Sequence, residues 1–136
     1  MEQERNSADT ESVRQLLLDW ATATRTGARD AILQGHAPDV LVYDVLPPLL
    51  YQGTDAYRAS WSGWQPQTQG EDTFEFTGLD VVAGSDVAFA SGLIKCGGTL
   101  QDGRTFEDLV RATFCLQKRS GEWLVTHQHI SRPTGA

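Results

Sequence analysis

Val40-Leu41-Val42-Tyr43-Asp44-Val45-Leu46-Pro47-Pro48 sets a single carboxylate inside an apolar run rich in β-branched and aromatic residues, the composition of a buried strand. A charged Asp44 without partners would be costly there. The acid is therefore hydrogen-bonded, held neutral by a raised pKa, or turned toward a cavity that binds something. Pro47 and Pro48 cannot sit inside a hydrogen-bonded ladder, so the strand ends at or just after Asp44. A carboxylate at a strand end suits either a general base over a pocket or a cap that collects backbone amides from the proline turn.

On the N-terminal side of this run, residues 1–8 read as a polar, frayed start. A helix is expected from Asp9 or Thr10, either able to cap it, to Thr26. Val13, Leu16, Leu17, Trp20, Ala21 and Ala23 then form one buried stripe, and Gly27 closes the helix. A short second helix is expected over residues 28–35, with Ile32 inward and His36 just past its end. On the C-terminal side, residues 49–52 make a short strand, and Gly53-Thr54 turns into and caps a third helix. Tyr57, Trp61 and Trp64 share one face of that helix, which ends near Pro66 and a polar loop over residues 67–70.

From Phe74 onward the hydrophobic period switches to two. Strands are expected over residues 74–81, 87–96, 105–117 and 122–131, with turns at Gly84-Ser85-Asp86, Gly97 to Gly103 and Ser120-Gly121. In the third of these, Val110, Ala112, Phe114 and Leu116 share one face, while Arg111, Thr113, Cys115 and Gln117 share the other. Helices, a short strand pair, a helix and a long antiparallel meander make an α+β domain with helices on the concave face of a curved sheet.

The 136 residues suffice for one domain, 1–136, with a sizeable core. A net charge of -7, with 11 Lys+Arg against 18 Asp+Glu, disfavours a nucleic-acid or acidic-lipid surface. The charged start lacks the apolar core of a secretory signal, and no apolar run approaches the roughly 18 residues of a membrane span, so the cytoplasm is the expected location. Cys96 and Cys115 show no CxxC or Cys-His spacing, and no cofactor is expected.

Gly27, the short second helix, Asp44 before its prolines and Gly53-Thr54 opening the third helix have a spacing that resembles the ketosteroid isomerases. Across nearly its whole length the chain looks like the nuclear-transport-factor-2-like superfamily, which also contains SnoaL-like polyketide cyclases. The resemblance implies a cone with a strongly curved, mixed but mainly antiparallel sheet and three helices of the N-terminal half on its concave face. It places the proton-shuttling base on Asp44. The family's pocket tyrosine falls on Trp20, and the two tyrosines behind it fall on His36 and Trp61, all still able to donate a hydrogen bond. The acid that serves as the second oxyanion donor falls on Ala112, where no donor exists. Because each such donor supplies about 2.7 to 4 kcal/mol, efficient steroid isomerisation is not expected.

The last strand carries His127 and His129, two residues apart and so on one face. A metal would need a third ligand that the sequence does not offer, so no metal is expected. By register Gln128 and Ile130 face the pocket, leaving Arg111, His127 and His129 to a subunit interface; a β-bulge would exchange the two faces. The resulting expectation is a small pocket enzyme of isomerase, cyclase or dehydratase type acting on a small apolar ketone, polyketide or steroid-like ligand. Asp44 would be its general acid/base, with Trp20 and His36 as catalytic partners. Tyr57, Trp61, Phe89, Phe114, Gln128 and Ile130 would bind the substrate. A non-catalytic binding protein and a dimerisation module remain open beside it, and a homodimer is expected in each case.

Overall fold

The computed structural model describes residues 2–60 and 68–133. The elements are α1 (Glu2–Thr26), α2 (Arg29–Leu33), β1 (His36–Tyr43), β2 (Tyr51–Gln52), α3 (Thr54–Ser60), β3 (Thr68–Ala83), β4 (Val87–Leu100), β5 (Thr105–Arg119) and β6 (Glu122–Ser131). One sheet contains all six strands in the order β2-β1-β6-β5-β4-β3. Its pairs are antiparallel except β1 with β6, so the sheet is mixed, as expected.

The apolar stripe of α1 is buried as its spacing requires: Val13 and Leu17 are inaccessible, and Trp20, Ala21 and Ala23 nearly so. Gly27 ends the helix with φ of 73°, a left-handed stop that a side chain would strain. The helix nevertheless begins at Glu2, ahead of the expected cap, so residues 2–8 are helical rather than a frayed lead-in. Asp9 does not cap it. Its Oδ1 accepts from Lys118 Nζ at 2.9 Å and from Trp123 Nε1 at 3.1 Å, which ties α1 to the β5–β6 hairpin.

Other boundaries also moved. His36 opens β1 instead of trailing a helix, Thr68 to Gly70 lie in β3 instead of a loop, and Gly97-Gly98 continue β4 instead of turning it. The glycines fit because two strands approach closely there. A Cβ on Gly97 would lie 2.5 Å from Phe106 O, and a Cβ on Gly92 would collide with Gly78 O. Gly78 itself has φ of 91°, and the β3–β4 register shifts between Phe76 and Leu79, which bends β3 over the helix side.

The core lies between α1 and the inner face of the sheet, where Trp20 meets Phe74 and Phe114 edge-on at centroid separations of 5.4 and 5.2 Å. Inner positions are Ala88, Ala90 and Ile94 on β4, Val110, Ala112, Phe114 and Leu116 on β5, and Trp123, Val125, Gln128 and Ile130 on β6. The β6 set changes phase after Val125 because Cys115 pairs His127 while Leu116 pairs Val125, leaving Thr126 as an extra residue. The bulge thus lies before the histidines and sends Gln128 and Ile130 inward; an unbroken alternation from Trp123 would have sent His127 and His129 inward instead.

Candidate active site

β1 presents His36, Val40 and Val42 to the interior and stops at Tyr43, so Asp44 emerges at the strand end, half-buried, one step past the Tyr43–His129 pair and level with Ile130. Its Oδ1 accepts the Val45 N–H at 2.7 Å, so the capping role is present, though limited to one amide among the described residues. Burial pushes the Asp44 carboxyl above the usual carboxylate range, and the Val45 amide opposes this in part. The acid lines a hollow of about 1240 Å³, open on one side, together with Thr77, Lys95, Ser131 and Arg132. At its rim Lys95 pairs with Glu107 at 3.7 Å and Arg132 with Asp108 at 2.5 Å. These residues were missed from sequence because all but Arg132 are ordinary polar positions inside the expected strands, and nothing in their spacing marks which of them meet around one hollow.

One pleat farther along the sheet, Gln128 lies between Val42 and Phe114 and is wholly inaccessible. His36 Nδ1 is 3.3 Å from Gln34 O, and a carbonyl can only accept, so Nδ1 carries the proton. Nε2 of the same ring is left as an acceptor for the Gln128 Nε2–H at 3.0 Å. Burial lowers the His36 pKa to about 4, against an opposing effect of the Gln34 carbonyl, so the ring is neutral at neutral pH and its Nε2 holds the Gln128 amide.

Trp20 also spends its donor within the protein. Its Nε1–H donates to Tyr57 Oη at 3.2 Å, which commits the indole donor to a protein partner. Tyr57 is 5 % exposed, and burial pushes its phenol up to about 12. The Trp20 bond opposes that rise, the Asp44 charge adds to it, and the Gln128 amide again opposes it, so Tyr57 lies within electrostatic reach of both Asp44 and Gln128. The network therefore has Tyr57 at its centre, with Trp20, Gln128 and His36 holding the surrounding polar atoms.

Phe114 and Ile130 line the interior as expected, and Ala112, 2 % exposed, leaves its place between Ile130 and Gly92 without a donor. Phe89 does not line it. This residue is 54 % exposed on the outer face, and Ala90 takes the inner position beside it because Trp20, Phe76 and Phe114 fill the space a larger side chain would need. Arg111, His127 and His129 are also outside. His127 and His129 stack edge-on against Tyr43 at 4.8 and 5.3 Å, and the His127 Nδ1–H donates to Leu41 O at 2.8 Å. No group of three or more potential metal ligands occurs among the described residues. Trp61 and Trp64 lie outside the described residues.

The chain resembles several solved structures over almost its whole length. An NTF2-like protein of unknown function from Pseudomonas putida KT2440 shares 31 % identity, with 93 % of this chain and 88 % of that one covered and a TM-score of 0.82. An NTF2-like superfamily protein from Salmonella enterica matches at 14 % identity, 96 % of each chain and a TM-score of 0.79. A ketosteroid isomerase-like protein from Erwinia carotovora atroseptica matches at 16 % identity, 92 % and 98 % coverage and a TM-score of 0.76, a likeness of fold alone. No curated protein matches. The family model of the SnoaL-like domain covers residues 13–135, and with the α-helices packed inside a six-stranded curved sheet this makes the chain a member of the SnoaL-like family within the nuclear-transport-factor-2-like superfamily.

Proposed function

We propose that the protein is a small pocket enzyme in which Asp44 acts as general base on an acidic C–H or O–H of a small apolar ligand, a ketone, polyketide or steroid-like compound. The observation that carries this reading is Asp44 itself: a carboxylate at a strand end, turned to a hollow and made more basic by burial. Ala112 and the committed Trp20 N–H leave the two positions on which the ketosteroid isomerase resemblance places oxyanion donors without a free one, so the reading favours substrates whose negative charge delocalises by itself. The same lack at these two positions favours, as a second reading, a protein that binds such a ligand without turning it over. In either reading the working unit is a homodimer formed through the outer sheet face and operating in the cytoplasm, in keeping with free Cys96 and Cys115.

A benzisoxazole tests the base, because its leaving phenolate spreads charge over a ring and needs little oxyanion stabilisation. The rate should rise with pH as Asp44 ionises and fall by about 100-fold in Asp44→Asn, while Trp20→Phe should have a smaller effect. A folded Asp44→Asn as fast as wild type would remove Asp44 as the base and leave the binding reading.

A further inference from the structure

Taking a proton from the carbon beside a carbonyl leaves negative charge on the oxygen, and neither Trp20 nor Ala112 has a donor free to meet it. Two cations line the hollow beside Asp44, Lys95 and Arg132, and alternation along the strands separates them. Ile94, Val110 and Ala112 are turned to the core, which leaves Lys95 and its partner Glu107 in the outer set, at the rim. Asp108 and Cys96 belong to the inner set and are paired across β4 and β5. Arg132 Nη1 donates to Asp108 Oδ2, and the charges of Asp108 and Arg132 both act on the Cys96 thiol, so Arg132 reaches the inner side. Asp44 lies on that side too, in phase with the buried Val40 and Val42.

The guanidinium is also held in place and only partly spent. Asp108 Oδ1 accepts the Leu109 N–H at 3.0 Å, which fixes the carboxylate that aims Arg132. Among the described residues the bond to Asp108 is the one Arg132 makes, so its Nε–H and Nη2 donors are uncommitted. The strand order β1-β6-β5 puts Asp44 on one side of β6 and Asp108 on the other. Arg132 is two residues along and one strand across from Asp44, about 8 Å between Cα atoms, and its head is drawn away toward β5. Acid and guanidinium thus flank the hollow instead of pairing with each other. We infer that Arg132 is the catalytic partner of Asp44: its guanidinium receives the carbonyl oxygen of the ligand and holds the negative charge that develops there as Asp44 takes the neighbouring proton. This rests on the reading of Asp44 as the base. The carboxylate gains the proton, the C–H electron pair becomes the enolate double bond, and the carbonyl pair moves onto the oxygen beside Arg132; the reverse movement returns the proton. Asp108 is a positioning residue in this arrangement.

Dimedone, an enolate anion at neutral pH, and the neutral monoketone dimethylcyclohexanone share a ring and test the assignment by calorimetric titration of the whole chain. Asp44→Asn is the background, because its amide stands in for the protonated acid that faces the enolate. There dimedone should bind at least about tenfold more tightly than the ketone, the strength of one hydrogen bond to a charged group. Adding Arg132→Gln should bring the ratio toward one with the ketone still bound, Arg132→Lys should retain part of it, and Lys95→Gln should leave it in place. Equal affinities in Asp44→Asn, binding of neither probe, a ratio that survives Arg132→Gln, or one that vanishes in Lys95→Gln would each overturn the proposal. The Arg132 side chain is 55 % exposed, so its replacement should leave the circular dichroism unchanged. The comparison in Asp44→Asn alone needs no change at Arg132 and can refute the proposal by itself. An Asp44→Asn chain that opens benzisoxazole as fast as wild type yet prefers dimedone would remove the base and keep Arg132 as the site of the oxygen. A slow one without the preference would keep the base and remove Arg132.

Discussion

His36 shows how one buried polar residue ties the stability of the interior to pH. Its ring is neutral in the folded protein because burial disfavours the charged form, and its pKa of about 4 lies below the 6.5 of an exposed histidine. Between those values the unfolded chain takes up a proton that the folded chain does not. The His36 contribution to stability is therefore full above pH 6.5 and is lost as pH falls through 6.5 toward 4. The gap corresponds to roughly 3 kcal/mol at most. His36→Gln, which keeps an acceptor for the Gln128 amide but cannot titrate, should flatten this dependence. Urea denaturation of both proteins at pH 7 and pH 4.5 should show wild type losing roughly 2 kcal/mol more than the variant over that interval. Equal losses would mean that His36 is protonated in the folded state. The sequence placed His36 near the site, but no spacing rule reveals that its Nδ1 turns to the carbonyl of Gln34, two residues back, and its Nε2 to Gln128.

At the scale of elements, what was legible was periodicity, and what was hidden was any event that shifts it. The stripe of α1 and the alternating face of β5 were read correctly because burial alone determines both patterns. The bulge at Thr126 left a trace in the sequence, since apolar residues run at Trp123 and Val125 and then at Ile130, a change from odd to even positions. Phe89 was misplaced because large apolar residues read as core, whereas β4 turns Ala88, Ala90 and Gly92 inward to make room for the aromatic side chains opposite. The glycine pair tests how this curvature is held. With its Cβ driven against the Gly78 carbonyl, Gly92→Ala must push β3 away from β4, and it should cost about 2 kcal/mol or more in chemical denaturation. A loss below about 0.5 kcal/mol would show that the two strands separate freely at this point.

For the molecule as a whole, the outward turn of Phe89 has a consequence for assembly. Val87, Phe89 and Leu93 on β4 are 58, 54 and 40 % exposed, a run of apolar side chains on one face of a sheet whose other face is the core. Beside them the rows continue through Cys115 to His127 and through Thr113 to His129, with Tyr43 beyond. None of these residues is acidic, although the chain carries a net charge of -7, so its excess negative charge lies away from these rows. An antiparallel sheet tolerates one face in water when that face is polar, but a largely apolar one calls for cover. A second copy related by two-fold symmetry provides it without any other partner, since the same rows meet themselves. Light scattering at micromolar concentration should therefore report twice the chain mass of 14.9 kDa. Phe89→Arg should weaken association by at least about tenfold while leaving the far-ultraviolet circular dichroism unchanged, because the side chain is outside the core. A wild-type monomer under those conditions, or a Phe89→Arg chain that dimerises as tightly as wild type, would show that this face is not the interface.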